Sequence, residues 1–471
     1  MNKRFLKKKF LLLMISVLVI SNLSTVTFAT GVSESKSPKQ KIIEVKPREK
    51  IYDIGIYKDV GNFLIDYFNS LYKITETGDL SNLKQPILDT NTYMILKDFE
   101  YTSNFYKVFH GGVQDVSLDQ FIIKEVQEID DYLNVNVYVN VSYVFNKNER
   151  NAVGSLYKVK VKVGNPYEVT AIDKTSIDIQ LTKDALKVKL KNKEQFNSTS
   201  STQTDVHSEE LKIIDEIYNE RNNSLETEKK KADEAAKSSI NPKNSTDTIE
   251  DNSSFVSPSA VSVGYGPWDA GHYGHWFGDH YQNYIFKRAS LDCTNFVSQC
   301  IWNGYGGSSG YTISDIGYDS SYYYHSTAQA LRQRVADNYR QTSKWYGRNY
   351  DSPYGDPISS FCGVPSLWDF ATTNTGTGPK ATGYNNGNVY TQLSTSMGRG
   401  DILQFFYSAT NTWYHSVIVV TTVNYYVSDY TKVRVAQHQD EHYNRPLDQL
   451  IQYFGGSTCK MRLLRPKNTT F

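Results

Sequence analysis

Between Leu133 and Tyr143 the chain alternates strictly. Leu133, Val135, Val137, Val139, Val141 and Tyr143 are separated by Asn134, Asn136, Tyr138, Asn140 and Ser142. A period of two sends successive side chains to opposite faces, so this stretch reads as a half-buried strand with a polar outer face. A turn-like stretch from Asn146 to Gly154 follows, and then Tyr157, Val159, Val161 and Val163 alternate with Lys158, Lys160 and Lys162. Two such runs predict an antiparallel hairpin. Upstream, Val60, Phe63, Leu64, Tyr67, Phe68, Leu71 and Tyr72 recur at steps of three and four, the spacing of one helical face. A helix followed by a hairpin argues a small α+β domain at 46–195. No cluster of titratable residues there resembles a reaction centre, so the domain is expected to be an accessory.

The chain has 471 residues, enough for two or three domains. Its 51 Lys and Arg against 50 Asp and Glu leave a net charge of +1, which removes the electrostatic case for a nucleic-acid partner. The N-terminus narrows the compartment. Lys3, Arg4 and Lys7 to Lys9 precede the apolar run Phe10–Ile20, and Thr27-Phe28-Ala29 fits a small-x-small cleavage site. Residues 1–29 read as a secretory signal peptide whose apolar run is too short to span a bilayer. The expectation is an exported protein, extracellular or cell-wall associated, with no stable membrane span after cleavage. Residues 196–260 are rich in Ser, Thr, Asn, Lys and Glu and read as a polar, partly helical linker.

All four cysteines (Cys293, Cys300, Cys362 and Cys459) and seven of the nine histidines fall in 261–466, where the chemistry is expected. Cys293, Phe296, Val297, Cys300 and Ile301 form one helical stripe, with Asp292 as a candidate N-cap. That places Cys293 in the first turn, where free N–H groups and the helix dipole favour a thiolate nucleophile. Cys300, two turns further in, is expected to be inert core. Tyr414-His415-Ser416-Val417-Ile418-Val419-Val420 reads as a strand with His415 at its edge, a base whose ring can point across the sheet towards the helix terminus. Lys432 to His438 reads as the next antiparallel strand, from which His438 or a neighbour can reach His415 and fix its tautomer. Placement of Cys293 and His415 on opposite flanks, with no route to meet, would end this hydrolytic account.

Asp-Cys-Thr-Asn-Phe-Val-Ser-Gln at 292–299, with a Gly-rich helix end after it, resembles the putative amidase domain family. That family is similar to the papain-like NlpC-type and CHAP hydrolases of bacterial cell walls. Arg399 to Phe405 looks like the Gly-Asp opening of a strand, Tyr414 to Val420 like the His strand, Cys362 to Phe370 like the middle helix, and Ala436 to Leu450 like the closing segment. The resemblance implies a papain-like α+β domain over 261–466, with Cys293 as nucleophile and His415 as base. It maps the third polar residue best onto His438, with Gln437 and Asp440 as rivals.

The implied activity is hydrolysis of an amide bond through a thioester, with a peptidoglycan peptide or another extracellular peptide as substrate and no cofactor. The alternatives are a catalytically silent wall-binding protein with the same fold and, ranked last, a structural or spore-coat component. His272, His275 and His280 do not match metal-ligand spacing and read as aromatic packing in a cleft wall with Trp268 and Trp276, so no metal is expected. His325 and His442 are expected at the surface.

Overall fold

The computed structural model describes residues 50–83, 89–145, 150–194, 203–238, 261–280, 283–289, 292–316, 320–353, 356–385, 387–389, 397–420 and 430–471. The expected signal peptide, residues 196–202 and 239–260 of the expected linker, and 146–149 of the expected turn lie outside them.

After strand β1 (Ile51–Asp53), helix α1 (Lys58–Thr77) buries Val60, Leu64, Tyr67, Phe68, Leu71 and Tyr72 and leaves Phe63 half-buried. It stops at Gly78, whose φ of 73° suits a residue without Cβ. Helix α2 (Thr90–His110) is capped by the Asp89 carboxylate, which accepts from the Asn91 and Thr92 amides. Both helices pack over strands β2 (Asp115–Ile129), β3 (Tyr132–Val144), β4 (Arg150–Lys162) and β5 (Glu168–Thr175). β3 and β4 are the predicted antiparallel hairpin, with Val135 opposite Val159 and Val137 opposite Tyr157. The outer face of β3 is not open to solvent as its alternation suggests. Tyr138, Asn140 and Ser142 are buried: the backbone carbonyl of Asp279 accepts from both Tyr138 Oη and Asn140 Nδ2, and the Ser142 hydroxyl donates to the Asp119 carboxylate.

Two more helices complete this part, α3 (Ile177–Glu194) and α4 (Gln203–Ser238). α4 falls in the segment read as a linker. It buries Ile213, Ile214, Ile217, Tyr218 and Leu225 against its neighbours, so one stripe is packed while the rest stays solvated.

The remaining elements are strand β6 (Ser262–Val263), helices α5 (Pro267–Phe277), α6 (Asp292–Gly304), α7 (Ser326–Ala336), α8 (Ser359–Cys362) and α9 (Val364–Thr373), and strands β7 (Lys380–Tyr384), β8 (Ile402–Tyr407), β9 (Thr412–Val419), β10 (Arg434–Gln437) and β11 (Glu441–Pro446). Helix α10 (Leu447–Tyr453) and strands β12 (Met461–Lys467) and β13 (Thr469–Thr470) close the chain. The fold is α+β with a mostly antiparallel sheet. Its order is β1-β2-β3-β4-β11-β10-β9-β8-β12-β7, with β5 also on β4. The sheet is continuous because Glu441 and His442 of β11 pair with Gly154 and Val153 of β4. β8, β9, β10 and β12 are covered on both faces. Leu403, Phe405, Val417, Val419 and Val435 join the core shared with α1–α4, while Ile402, Ile418, Ala436 and Leu464 pack under α5 and α6. Among the described residues, no helix is long and apolar enough to cross a membrane.

Candidate active site

The α6 stripe is as predicted: Cys293, Phe296, Val297, Cys300 and Ile301 are all buried. Cys293 is the second residue of the helix, and its thiol lies against the backbone N–H groups of Ser416 and Thr294, with Thr294 Oγ1 at 3.8 Å. These contacts favour a thiolate, but burial outweighs them and pushes the thiol above its ordinary value. The helix terminus alone therefore does not ionise Cys293. Burial pushes Cys300 far higher, in keeping with an inert core thiol. All four cysteines are free.

Asp292, expected to cap the helix or to hydrogen-bond around the active site, has a specific set of partners. Its Oδ1 accepts from the Ala289 amide (3.0 Å) and Asn295 Nδ2 (2.7 Å), and its Oδ2 lies 2.5 Å from His438 Nδ1. Burial would raise this carboxyl, yet Arg288 and His438 overcome it and hold Asp292 below its ordinary value. His438 Nε2 faces the Phe277 carbonyl at 3.1 Å. Both ring nitrogens thus face oxygen atoms, Nδ1 the Asp292 carboxylate and Nε2 the Phe277 carbonyl. The ring lies flat on Phe296, with centroids 3.9 Å apart and planes inclined by 12°.

The expected meeting of Cys293 and His415 does not occur, which ends the account with His415 as the base, and strand parity is the reason. Ser416 turns its Oγ to α6, 3.0 Å from Thr294 Oγ1. Its neighbour His415 therefore points to the opposite face, where it stacks on Phe454 beside its ladder partner Phe405. Nor does His438 orient His415. That partner is Gln437, whose Nε2 donates to the Asp440 carbonyl and whose Oε1 lies 3.3 Å from His415 Nε2. Asp440 sends its carboxylate to Ser155 Oγ (2.8 Å) and Lys174 Nζ (3.4 Å). Among the described residues no hydrogen bond joins the Cys293 sulfur to an imidazole.

Burial lowers His415 to about 4, with Gln437 opposing, and lowers His442 to about 3, with Asp440 opposing. His442 is thus a buried residue rather than the expected surface one, with Nδ1 2.9 Å from the Asp440 carbonyl. The sign of the pH effect follows. Below the ordinary value of 6.5 the unfolded chain takes up protons that these folded rings refuse, so acid favours unfolding. The melting temperature should fall as pH drops from about 7 to about 5, and His415→Gln should flatten part of that slope. A melting temperature independent of pH over this range contradicts the burial of these imidazoles.

The histidines of the Gly271–Tyr281 segment are scattered. His275 packs edge-on against Tyr443, His280 lies beside Phe277, and Trp276 Nε1 donates to the Ile316 carbonyl. Trp268, expected in a cleft wall, is 62% exposed under the Arg399 guanidinium. His325 is half-buried and caps α7, its Nδ1 3.3 Å from the Thr327 amide.

Sequence reasoning allowed Asp292 a hydrogen-bonding part around the active site, but left it off the catalytic residues because a helix cap sufficed. The available signal was its place directly before Cys293, which puts its carboxylate level with any residue that approaches the helix terminus. Comparison with family descriptions matches residues 267–462 to the Putative amidase domain. The match runs from α5 into β12 and leaves α1–α4 outside it. Comparisons with curated proteins and with solved structures each found no match. Residues 267–462 of this chain are thus similar to the Putative amidase domain, a likeness that supports a hydrolase acting on amides.

Proposed function

We propose that residues 267–462 hydrolyse an amide bond, with Cys293 as nucleophile and His438, held by Asp292, as the proton carrier. The observation that carries this reading is the 2.5 Å contact between Asp292 and His438, made by the residue preceding Cys293 in a domain of amidase type. A carboxylate on Nδ1 fixes the imidazole tautomer and stabilises the imidazolium. His415 has no part in this scheme.

In the reaction, Cys293 passes its proton to His438 Nε2 and the sulfur attacks the carbonyl carbon, moving the carbonyl π pair onto oxygen. Backbone N–H groups of the first turn of α6, which lack partners within the helix, receive the oxyanion. The intermediate collapses, the C–N bond breaks, and His438 protonates the departing amine. Water then cleaves the thioester to regenerate the thiol and release the carboxylic acid. In both transfers His438 Nε2 exchanges the Phe277 carbonyl for the reacting group.

A helix that bears the nucleophile and packs on an antiparallel sheet supports a papain-like arrangement of the domain. The signal-like N-terminus supports export, and with it a substrate amide in peptidoglycan stem peptides or another extracellular peptide. Residues 46–195 serve as an accessory domain in this scheme, joined through 196–260.

A catalytically silent wall-binding module is the second reading. The observation that favours it is His415, the strand histidine of the resemblance, facing away from Cys293. Incubating the purified chain with cell-wall material, with fragments identified by mass spectrometry, separates the two. Hydrolysis predicts new amine and carboxylate ends that vanish with Cys293→Ala. Undiminished release by Cys293→Ala, or binding without any release, contradicts it.

A further inference from the structure

The sheet face under α5 and α6 is apolar at Ile402, Ile418, Ala436 and Leu464, yet a row of polar side chains crosses it. Arg462 of β12 stands opposite Gln404 of β8, and Gln404 stands opposite Ser416 of β9. All three are buried, a costly arrangement unless their hydrogen bonds are made. Arg462 Nε donates to Gln404 Oε1 at 2.8 Å, and Gln404 Nε2 donates to the Val364 carbonyl at 2.8 Å and to Ser416 Oγ at 3.3 Å. Ser416 Oγ meets Thr294 Oγ1 at 3.0 Å, and Thr294 Oγ1 meets the Cys293 sulfur at 3.8 Å. The row therefore ends at the sulfur.

Its polarity has one sense. Arg462 only donates, so it fixes the Gln404 carbonyl towards itself and turns the amide N–H groups towards Ser416. The Arg462 guanidinium is itself held between the rings of Trp368 and Trp413, 4.2 Å from each centroid. Burial lowers its pKa to about 10, with Asp369 opposing, so the charge persists at neutral pH. Between the amide and the sulfur lie only two hydroxyls, which rotate freely between donating and accepting.

We infer that Arg462 and Gln404 are positioning residues for the Cys293 sulfur, aligning the Ser416 and Thr294 hydroxyls so that they stabilise its thiolate. This rests on the reading of Cys293 as nucleophile. With the thiol, the S–H donates to Thr294 Oγ1 and the Thr294 hydroxyl to Ser416 Oγ. When the sulfur loses its proton both hydroxyls turn, Ser416 donating to Thr294 and Thr294 to the sulfur. The Gln404 amide donates to Ser416 Oγ in both states, and such chains strengthen when every member is paired. The ionisable groups facing the sulfur are Asp292 on α6, Cys362 on α8 and Tyr414 on β9, with His438 behind Asp292. None of them is altered in the variants below.

The test measures the sulfur and not turnover. The pH dependence of Cys293 alkylation by iodoacetamide is followed by peptide mass spectrometry in the full chain, in Ser416→Ala and in Gln404→Leu. Each variant should raise the alkylation midpoint by about one pH unit, a roughly tenfold loss of thiolate at neutral pH, while the Cys362 midpoint stays fixed in the same digest. Ser416→Ala removes a single hydroxyl and keeps the test open where Gln404→Leu fails to fold. A Cys293 midpoint that stays put in folded Ser416→Ala overturns the inference, as does an equal shift at Cys362. Hydrolysis that survives Cys293→Ala sinks the functional reading instead, and leaves the midpoint shifts to stand or fall separately.

Discussion

Replacing Arg445 with methionine is expected to lower the unfolding free energy by ~3–5 kcal/mol, the cost of leaving one partner of a buried ion pair alone. Arg445 of β11 is fully buried, and its Nη2 reaches both Asp178 carboxylate oxygens, at 2.8 and 3.0 Å, while Nε donates to Gln449 Oε1. Burial drives the Asp178 carboxyl up to about 7, and Arg445 is the strongest influence opposing it. Without the guanidinium, Asp178 folds only with a proton taken up or a charge stranded. Urea titration of Arg445→Met should show a reduced midpoint, and Arg445→Met/Asp178→Leu should recover most of the loss. A loss under about 1 kcal/mol in the single variant contradicts the pairing. The pair also bears on the candidate site. Arg445 follows the 437–441 turn in which Gln439 and Asp440 have left-handed φ values of 66° and 84°. Ser155 and Lys174, from strands β4 and β5, hold Asp440 in that turn, two residues beyond His438.

Replacing His438 with glutamine is expected to lower kcat by ~10²–10⁴-fold, the usual contribution of a positioned proton-transfer group. Glutamine can still donate a hydrogen bond to Asp292, so the helix terminus keeps a partner, but an amide cannot carry the proton between sulfur and amine. His415→Gln is expected to leave kcat close to its original value. That ring lies across the sheet from α6, and burial keeps it neutral above about pH 4. Its cost should appear in stability, through packing on Phe454 and the contact with Gln437.

The helix carrying Cys293 was legible in the sequence because its apolar stripe at 293, 296, 297, 300 and 301 faces a core while its first turn is polar. The β3–β4 hairpin was legible for the same kind of reason. The face to which His415 points was not. Parity along a strand is read from apolar and polar alternation, and β9 is covered on both sides. Val417 and Val419 are buried on one face, and Ile418 and Val420 on the other. Nothing local distinguishes the two assignments. The buried state of Asp440, His442 and Arg445 was hidden because Ser155, Lys174 and Asp178, which hold Asp440 and Arg445, and Val153, which pairs with His442, lie more than 250 residues away in sequence. α4 was under-read because Ile213, Ile214, Ile217, Tyr218 and Leu225 are diluted among charged residues. The Arg462–Gln404–Ser416 row needs strand register, which residue types do not reveal.

The assignment of the imidazole decides whether this arrangement is an active site. The most direct measurement is kcat for release of amine from the identified substrate, compared between folded His438→Gln and His415→Gln at one pH. The account predicts a collapse in the first and near-original turnover in the second. Full turnover in His438→Gln, or a collapse confined to His415→Gln, contradicts it.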